Sequence, residues 1–359
     1  MSLPTPPSAP YAHSSANVQR TMALVMLALT PSTLYGLYIY GWPAVFLFAL
    51  TILSALAAEA FSLALRRKPI VMFLGDGSAA LSGWLVAATL PPWAPWWVAV
   101  LGGLIAIIIG KQIFGGLGQN VFNPAMVARV MLLVSFPVEL TRFVDPKPLF
   151  SQGAPDFSQS LQIVFGQIEK FDTISSASLL DQIRTVLKQG GDVPGGLAEH
   201  YQPMAMLIGD VPGSLGETSA LLILLGGLFL LYKRIITWHT PAAMIASIAL
   251  IAAVMNLIDP ARYPGPVYHV LSGALLLGAF FIATDYVTAP VTNTGRLIFG
   301  AGAGALVYVI RTWTVFPEGV AFAVLLMNAL TPVIDFYIKP RIYGRNRAGE
   351  PLPGPDDAG

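Results

Sequence analysis

The stretch FDTISSASLLDQIRTVLKQGG, residues 171–191, places four hydroxyls, on Thr173, Ser175, Ser176 and Ser178, just before an amphipathic helical pattern. A hydroxyl is a weak nucleophile that can become an attachment point when a partner activates it. That part of the chain holds no catalytic His, Cys or metal cluster. The whole chain has no Cys, and its four His (His13, His200, His239 and His269) lack ligand spacing, so no disulfide, zinc site or thiolate-held iron–sulfur cluster is expected. The apolar stripe Leu179, Leu180, Ile183, Val186 and Leu187 supports a second reading, a helix capped by Asp172 or Ser175.

A second group of polar residues lies in GKQIFGGLGQNVFNPAMVARV, Gly110 to Val130. Gly115, Gly116 and Gly118 let the backbone bend and approach a ligand, Asn120 and Asn123 supply amide donors and acceptors, and Pro124 suits a helix's first turn. This describes a polar pocket fit for the edge of an isoalloxazine, nucleobase, urea or quinone. The alternative is a Gly-rich turn with Asn caps.

Carboxylates form the third group. Ionisable groups at membrane depth are costly and mark ion or proton routes. Glu59, about two turns before Arg66, and Asp76 and Asp285, at the inner ends of equivalent spans, are the candidates for ion coupling. Asp335 can pair with Lys339 four residues on, and Glu217 suits the N-terminus of an apolar helix.

The elements that must position these residues are membrane helices. The chain of 359 residues is 55% hydrophobic and only 11% charged, whereas a soluble domain carries about 25% charged residues. An all-α polytopic membrane protein follows. Met1 to Asn17 is polar and Pro/Ser-rich and does not read as a cleavable signal. Ten apolar segments are expected, at about 21–41, 43–65, 78–92, 94–110, 121–137, 216–232, 235–257, 268–284, 297–312 and 319–338. They divide the chain into a tail (1–20), a first membrane repeat (21–137), a long loop (138–215), a second repeat (216–338) and a closing tail (339–359).

Lys and Arg collect in the loops and tails on one side: Arg20, Arg66, Arg67, Lys68, Lys111, Lys233, Arg234, Arg296, Lys339, Arg341, Arg345 and Arg347, whereas the short loops on the other hold only Arg262 and Arg311. Both termini are therefore expected in the cytoplasm and the long loop outside. No basic run suits nucleic acid. Five spans in each half would make the halves antiparallel, a 5+5 inverted repeat. LSGWLVAATLPPWAP (Leu81 to Pro95) and LSGALLLGAFFIATDYVTAP (Leu271 to Pro290) share Leu-Ser-Gly and then Ala-Thr-x4-Ala-Pro. Chance likeness between Ala/Gly-rich helices is the alternative.

Four segments, GKQIFGGLGQNVFNPAMVAR, GSLGETSALLILLGG, GAFFIATDYVTAPVTNTGRLIFG and GVAFAVLLMNALTPVIDFY, together resemble the D-subunit family of the Rnf electron-transport complexes, and more distantly the B subunit of the sodium-pumping NADH:quinone reductase. The resemblance implies a ten-span fold similar to urea and ammonium transporters. It implies a membrane subunit, inactive alone, of a ferredoxin:NAD oxidoreductase in the bacterial cytoplasmic membrane, coupling electron transfer to Na+ or H+ movement. Partners implied are iron–sulfur and nicotinamide-binding subunits. It further implies FMN joined through its phosphate by a flavin transferase to a hydroxyl in a motif similar to Asp-x-x-Ser/Thr-Gly-Ala-Thr. Here Asp172 and Ser175 match, Ser176 replaces the usual Gly, and Ser178 takes the acceptor position. A non-covalent riboflavin is implied near Asn120 and Asn123, with Gly77 a weaker match. A channel or secondary transporter for a small polar solute is the alternative that the fold alone would allow.

Overall fold

The computed structural model describes residues 17–166, 185, 192–194, 203–314, 316 and 318–340. Helix dominates these residues, and none of them forms a β-strand. In chain order the helices of the first half are α1 (Val18–Leu65), α2 (Ile70–Leu74), α3 (Ser78–Thr89), α4 (Trp96–Leu104, continuing as a π-helix over Ile105–Gln112), α5 (Pro124–Ser135), α6 (Pro137–Thr141) and α7 (Phe157–Gly166). Then come α8 (Pro203–Ile208), a 3₁₀ turn over Leu215–Glu217, α9 (Ala220–Tyr232), α10 (His239–Ile258) and α11 (Pro266–Leu271). The chain continues with α12 (Leu275–Leu277, continuing as a π-helix over Gly278–Ile282), α13 (Asn293–Trp313) and α14 (Val320–Tyr337).

Helices α1, α10, α13 and α14 are long and apolar enough to cross a membrane, and α3, α4 with its π extension, α5 and α9 are shorter apolar helices. The chain is a membrane protein, and its surface agrees. Leu34 and Leu53 on α1 are each 61% exposed and Leu257 is 83% exposed, side chains that suit a lipid surround.

Helix α1 turns back on itself at Gly41, whose φ of 76° and ψ of −163° are reached at low cost only by glycine. Pro43 opens the second limb, where a missing N–H costs nothing. Carbonyls left open at the end of the first limb find donors elsewhere: Ile39 and Tyr38 accept from the backbone N–H groups of Lys147 and Leu149, and Tyr40 accepts from Trp93 Nε1. Both ends of α1 consequently lie at one end of the bundle, with Arg66 donating to Gln112 Oε1 at 2.8 Å and Met22 beside Gly77.

Small residues let the helices approach closely. A Cβ on Gly300 or Gly304 of α13 would meet the backbone carbonyls of Thr240 and Met244 on α10, and one on Gly103 of α4 would meet Ser54 and Ala55 on α1. Membrane helices without a hydrophobic drive between them associate through such contacts.

Two local motifs match across the halves. Each is a short helix, a glycine in the left-handed region, then a longer helix: α2, Gly77 (φ 79°), α3; and α11, Gly273 (φ 65°), α12. The shared Leu-Ser-Gly does not mark this correspondence. Ser82 and Gly83 lie inside α3, whereas Ser272 and Gly273 are the break itself. The eighth expected span, about 268–284, is accordingly two helical pieces. Ala-Thr-x4-Ala-Pro does correspond, since Ala88 to Pro95 and Ala283 to Pro290 both link such a helix to the next long one.

Candidate functional site

At the end of the bundle that holds Arg20 and Arg66, a cleft opens between the two halves. Its walls come from the first turns of α1 (Thr21, Met22, Val25), the start of α3 (Ser78, Leu81, Ser82), the loop before α5 (Leu117, Asn120, Asn123) and the π-helical turn with its following loop (Phe280, Phe281, Asp285). Both π-helical segments border it, one through Lys111 and one through the two phenylalanines. Single π turns re-aim side chains out of the regular helical register and occur often at functional sites. The cleft continues past Asp285 and Tyr286 into a second cavity lined by Thr237, Thr240 and Arg296.

The amides are oriented by their backbone partners. Asn123 Oδ1 accepts from the N–H groups of Ala125 (3.1 Å) and Met126 (3.3 Å), capping α5 ahead of Pro124. Its Nδ2 is therefore turned away from the helix, toward the cleft it lines. Asn120 Nδ2 donates to Phe122 O at 3.0 Å, which leaves Oδ1 as an acceptor. The loop is braced from the other half: Asn123 N donates to Asn328 Oδ1 (3.1 Å), and Asn328 Nδ2 donates to Thr288 O (3.2 Å). Capping and pocket formation, alternatives at the level of sequence, are thus one arrangement. The cap fixes the amide that faces the cleft.

A buried polar chain runs alongside. Lys111 Nζ donates to Glu59 Oε1 at 2.9 Å and to Ser78 Oγ at 2.7 Å; Ser78 N and Oγ both donate to Asp76 Oδ1. Glu59 and Lys111 are each 2% exposed, and Glu59 Oε2 is buried without a hydrogen bond. This corrects the placing of Lys111 among the loop cations and identifies the neighbour of Glu59. Lys111 is a core cation and not a loop residue, and the partner of Glu59 is Lys111, since Arg66 is committed to Gln112 and Gly115 O. Arg311 likewise sits buried on α13, donating to the carbonyls of His269 and Ser272, and is no loop cation either. Asp335 accepts from Val291 N and Lys339 lies over the Phe336 ring, so their expected pairing is replaced.

Of the candidate residues, the structure brings Asn120, Asn123 and Asp285 together at the cleft, with Asp76 and Gly77 beside it through Ser78. Asp285 accepts from Val287 N and Thr288 Oγ1, each at 3.2 Å. Glu59 joins through Lys111. Asp172, Ser175 and Ser178 lie outside the described residues. Sequence reasoning missed Ser78, Lys111 and Asn328. A lone lysine closing the apolar run IAIIIGK was the available signal for Lys111.

The model of the NQR2, RnfD, RnfE family matches residues 5–344. Among similar proteins, the D subunit of the ion-translocating oxidoreductase complex of Stutzerimonas stutzeri is 53% identical over 337 residues, 94% of this chain and 95% of that one. The protein of the same name from Halorhodospira halophila is 49% identical over 343 residues, 96% of each chain. That of Escherichia fergusonii is 43% identical over 351 residues, 95% of this chain and 98% of its own. With a family model spanning nearly its whole length and such relatives covered almost end to end, the chain belongs to the NQR2, RnfD, RnfE family.

Proposed function

We propose that this chain is the D subunit of an ion-translocating oxidoreductase complex and that it carries flavin. The observation that supports this best is the amide pair at the cleft. Asn123 Nδ2 is a free donor and Asn120 Oδ1 a free acceptor on one wall, which complements the carbonyl and N–H of an isoalloxazine's pyrimidine edge. Phe280 and Phe281 supply apolar surface for a flat ring, and the adjoining cavity with Thr237 and Thr240 offers hydroxyls to a polyol tail. This is the non-covalent riboflavin of the reading. The covalent one is FMN held by its phosphate on Ser178.

When bound, flavin supplies an acceptor for one or two electrons; ferredoxin, nicotinamide and iron–sulfur chemistry fall to other subunits, as the zero Cys count requires of clusters. Chain residues orient, desolvate and provide charge. The cap on α5 fixes the donor at the ring edge, and the Glu59–Lys111 pair with Asp76 and Asp285 places ionisable groups at membrane depth for coupling to Na+ or H+. Counting the two limbs of α1 separately and the broken α11–α12 segment as one gives ten apolar passes, in keeping with a 5+5 arrangement whose basic end faces the cytoplasm.

Asn123→Ala removes both the cap and the donor. Losing a hydrogen bond to a buried ligand edge costs about 1–3 kcal/mol, so the variant is expected to purify with at least several-fold less extractable riboflavin. Flavin content is read by chromatography of the acid extract. Unchanged riboflavin in a folded Asn123→Ala protein would overturn the assignment of this cleft.

A further inference from the structure

The end of the bundle away from the cleft of Asn120 and Asn123 holds the turn of α1 at Gly41, a second cleft bordered by Arg129, Glu217 and Glu318, and the helix α7. Residues 138–215 read in sequence as a loop outside the membrane, yet α7 within it carries its own start signal. Asp156 Oδ1 accepts from Gln159 N at 2.7 Å and Gln159 Oε1 accepts from Asp156 N at 3.0 Å, a reciprocal cap on the first turn. Ring contacts fix how the helix lies. At its N-terminus Phe157 packs edge-on against Trp42 and Phe46, with ring centroids 5.5 and 5.2 Å apart, where the second limb of α1 begins. At the other end Phe165 stacks on Trp96, the first residue of α4, at 6.4 Å. Trp93 Nε1 donates to Tyr40 O, which sets the start of α4 beside the turn of α1. A helix of 10 residues is about 15 Å long. It therefore reaches from the head of one membrane helix to the head of another at the same end, and so lies across the bundle, in the plane of the membrane.

At about 100° per residue around the helix axis, the side chains sort into three sectors. Ser160 and Val164 are buried against the bundle. Next round come Phe157, Leu161 and Phe165, four residues apart, apolar, and 53%, 37% and 48% exposed. The remaining arc carries Ser158, Gln159 and Gln162, all polar and exposed. No residue of the helix is charged. A helix lying in a membrane boundary meets three surroundings, protein, hydrocarbon and water, and these sectors follow one another in that order. Trp42, Phe46 and Trp96 make the apolar stripe continuous with the surface of the membrane helices at the depth where tryptophan is enriched.

We infer that α7 is an in-plane helix docked on lipid: Phe157, Leu161 and Phe165 enter the bilayer leaflet at this end, among the upper acyl carbons of its phospholipids, while Ser158, Gln159 and Gln162 face water. Apolar side chains this exposed would be costly in water and are stabilised by hydrocarbon. The lack of charge in the helix suits neutral packing at the acyl boundary and gives no salt-dependent hold on headgroups. Seated in this way, α7 fastens the chain beyond α6 to the membrane surface between the heads of α1 and α4.

A chain without cysteine makes single-cysteine variants clean reporters. The full chain carrying Leu161→Cys or Gln162→Cys, adjacent positions on different sectors, is labelled with bimane and reconstituted into bilayers of phosphatidylcholine and phosphatidylglycerol, with or without a phospholipid bearing a nitroxide near the top of its acyl chain. Both side chains are exposed, so neither substitution opens a cavity. The nitroxide lipid should quench the label at 161 several-fold more than the label at 162, and aqueous iodide should quench them in the reverse order. Phe165→Cys, one turn further along the stripe, should behave as Leu161→Cys. Iodide quenching at 161 as strong as at 162, with none from the nitroxide, would place the stripe in water and overturn the inference. A label at 161 shielded from both quenchers would mean that protein covers the stripe, a further stretch of this chain or a second copy, and would overturn it equally. In the assembled complex the same order should hold; loss of nitroxide quenching there would assign the stripe to a contact between subunits instead.

Discussion

Single residues at this site draw their meaning from what they are bonded to. Asn123 is a helix cap whose oxygen is already used, which leaves its amide N–H groups for the cleft it lines. Lys111 is a buried cation because Glu59 and Ser78 meet it, at 2.9 and 2.7 Å. Removing one member of a buried pair leaves an uncompensated charge and costs about 3–5 kcal/mol, while replacing both with apolar groups of similar size is often neutral. Lys111→Met should therefore lower the thermal midpoint of the detergent-solubilised protein sharply, and Lys111→Met with Glu59→Leu should restore most of it. Ion translocation by the complex containing the double variant separates two roles. If it is lost while stability returns, the pair serves transport and not only packing.

At the scale of elements, the site depends on breaks more than on helices. Gly77 precedes α3 as its N-cap at φ 79°, where Ser78 accepts from Lys111 and donates to Asp76. A Cβ there would find Met22 at 3.4 Å, ordinary contact, so backbone conformation and not space sets the cost. An L-residue in the left-handed region loses about 1–2 kcal/mol. Gly77→Ala is expected to destabilise by that amount, measured by denaturant or thermal titration, and Gly77→Asn by less, because Asn tolerates this conformation. The π turn ending at Gln112 is a second such device, since the extra residue per turn brings Lys111 onto the inward face. The apolar pattern revealed the helices but not these interruptions, because hydropathy averages over them.

At the scale of the whole molecule, charge placement sets orientation. With Arg20, Arg66, Arg67, Lys68, Lys233 and Arg234 at one end and the rim of the Arg129 cleft at the other, that basic end is expected to face the cytoplasm. Gly153 lies in an exposed turn at φ 85°, a position suited to insertion. A reporter active only in the cytoplasm should be silent when inserted there and active when fused to the C-terminus. Activity at Gly153 would invert the topology and move the external hydroxyls to the wrong side. Recounting the cations after removing Lys111 and Arg311, both buried in the bundle, leaves the asymmetry standing.

Composition by itself determined that this is a helical membrane protein, because 11% charge cannot clothe a soluble surface of this size. Motifs in order determined the family, and residue chemistry singled out Asn120, Asn123, Asp76, Asp285 and Glu59. Only the tertiary structure decided who meets whom. Glu59 and Lys111 are 52 positions apart, and Asn123 is braced by Asn328 across 205 positions. Such pairings leave no periodic trace, since a contact between helices is set by crossing geometry and small residues, not by local spacing. For the same reason the cleft around Arg129 was invisible in the sequence: its guanidinium, its carboxylates and its break at Gly273 come from α5, the turn before α9, the turn before α14 and the α11–α12 link. Each looks ordinary until packing buries them together.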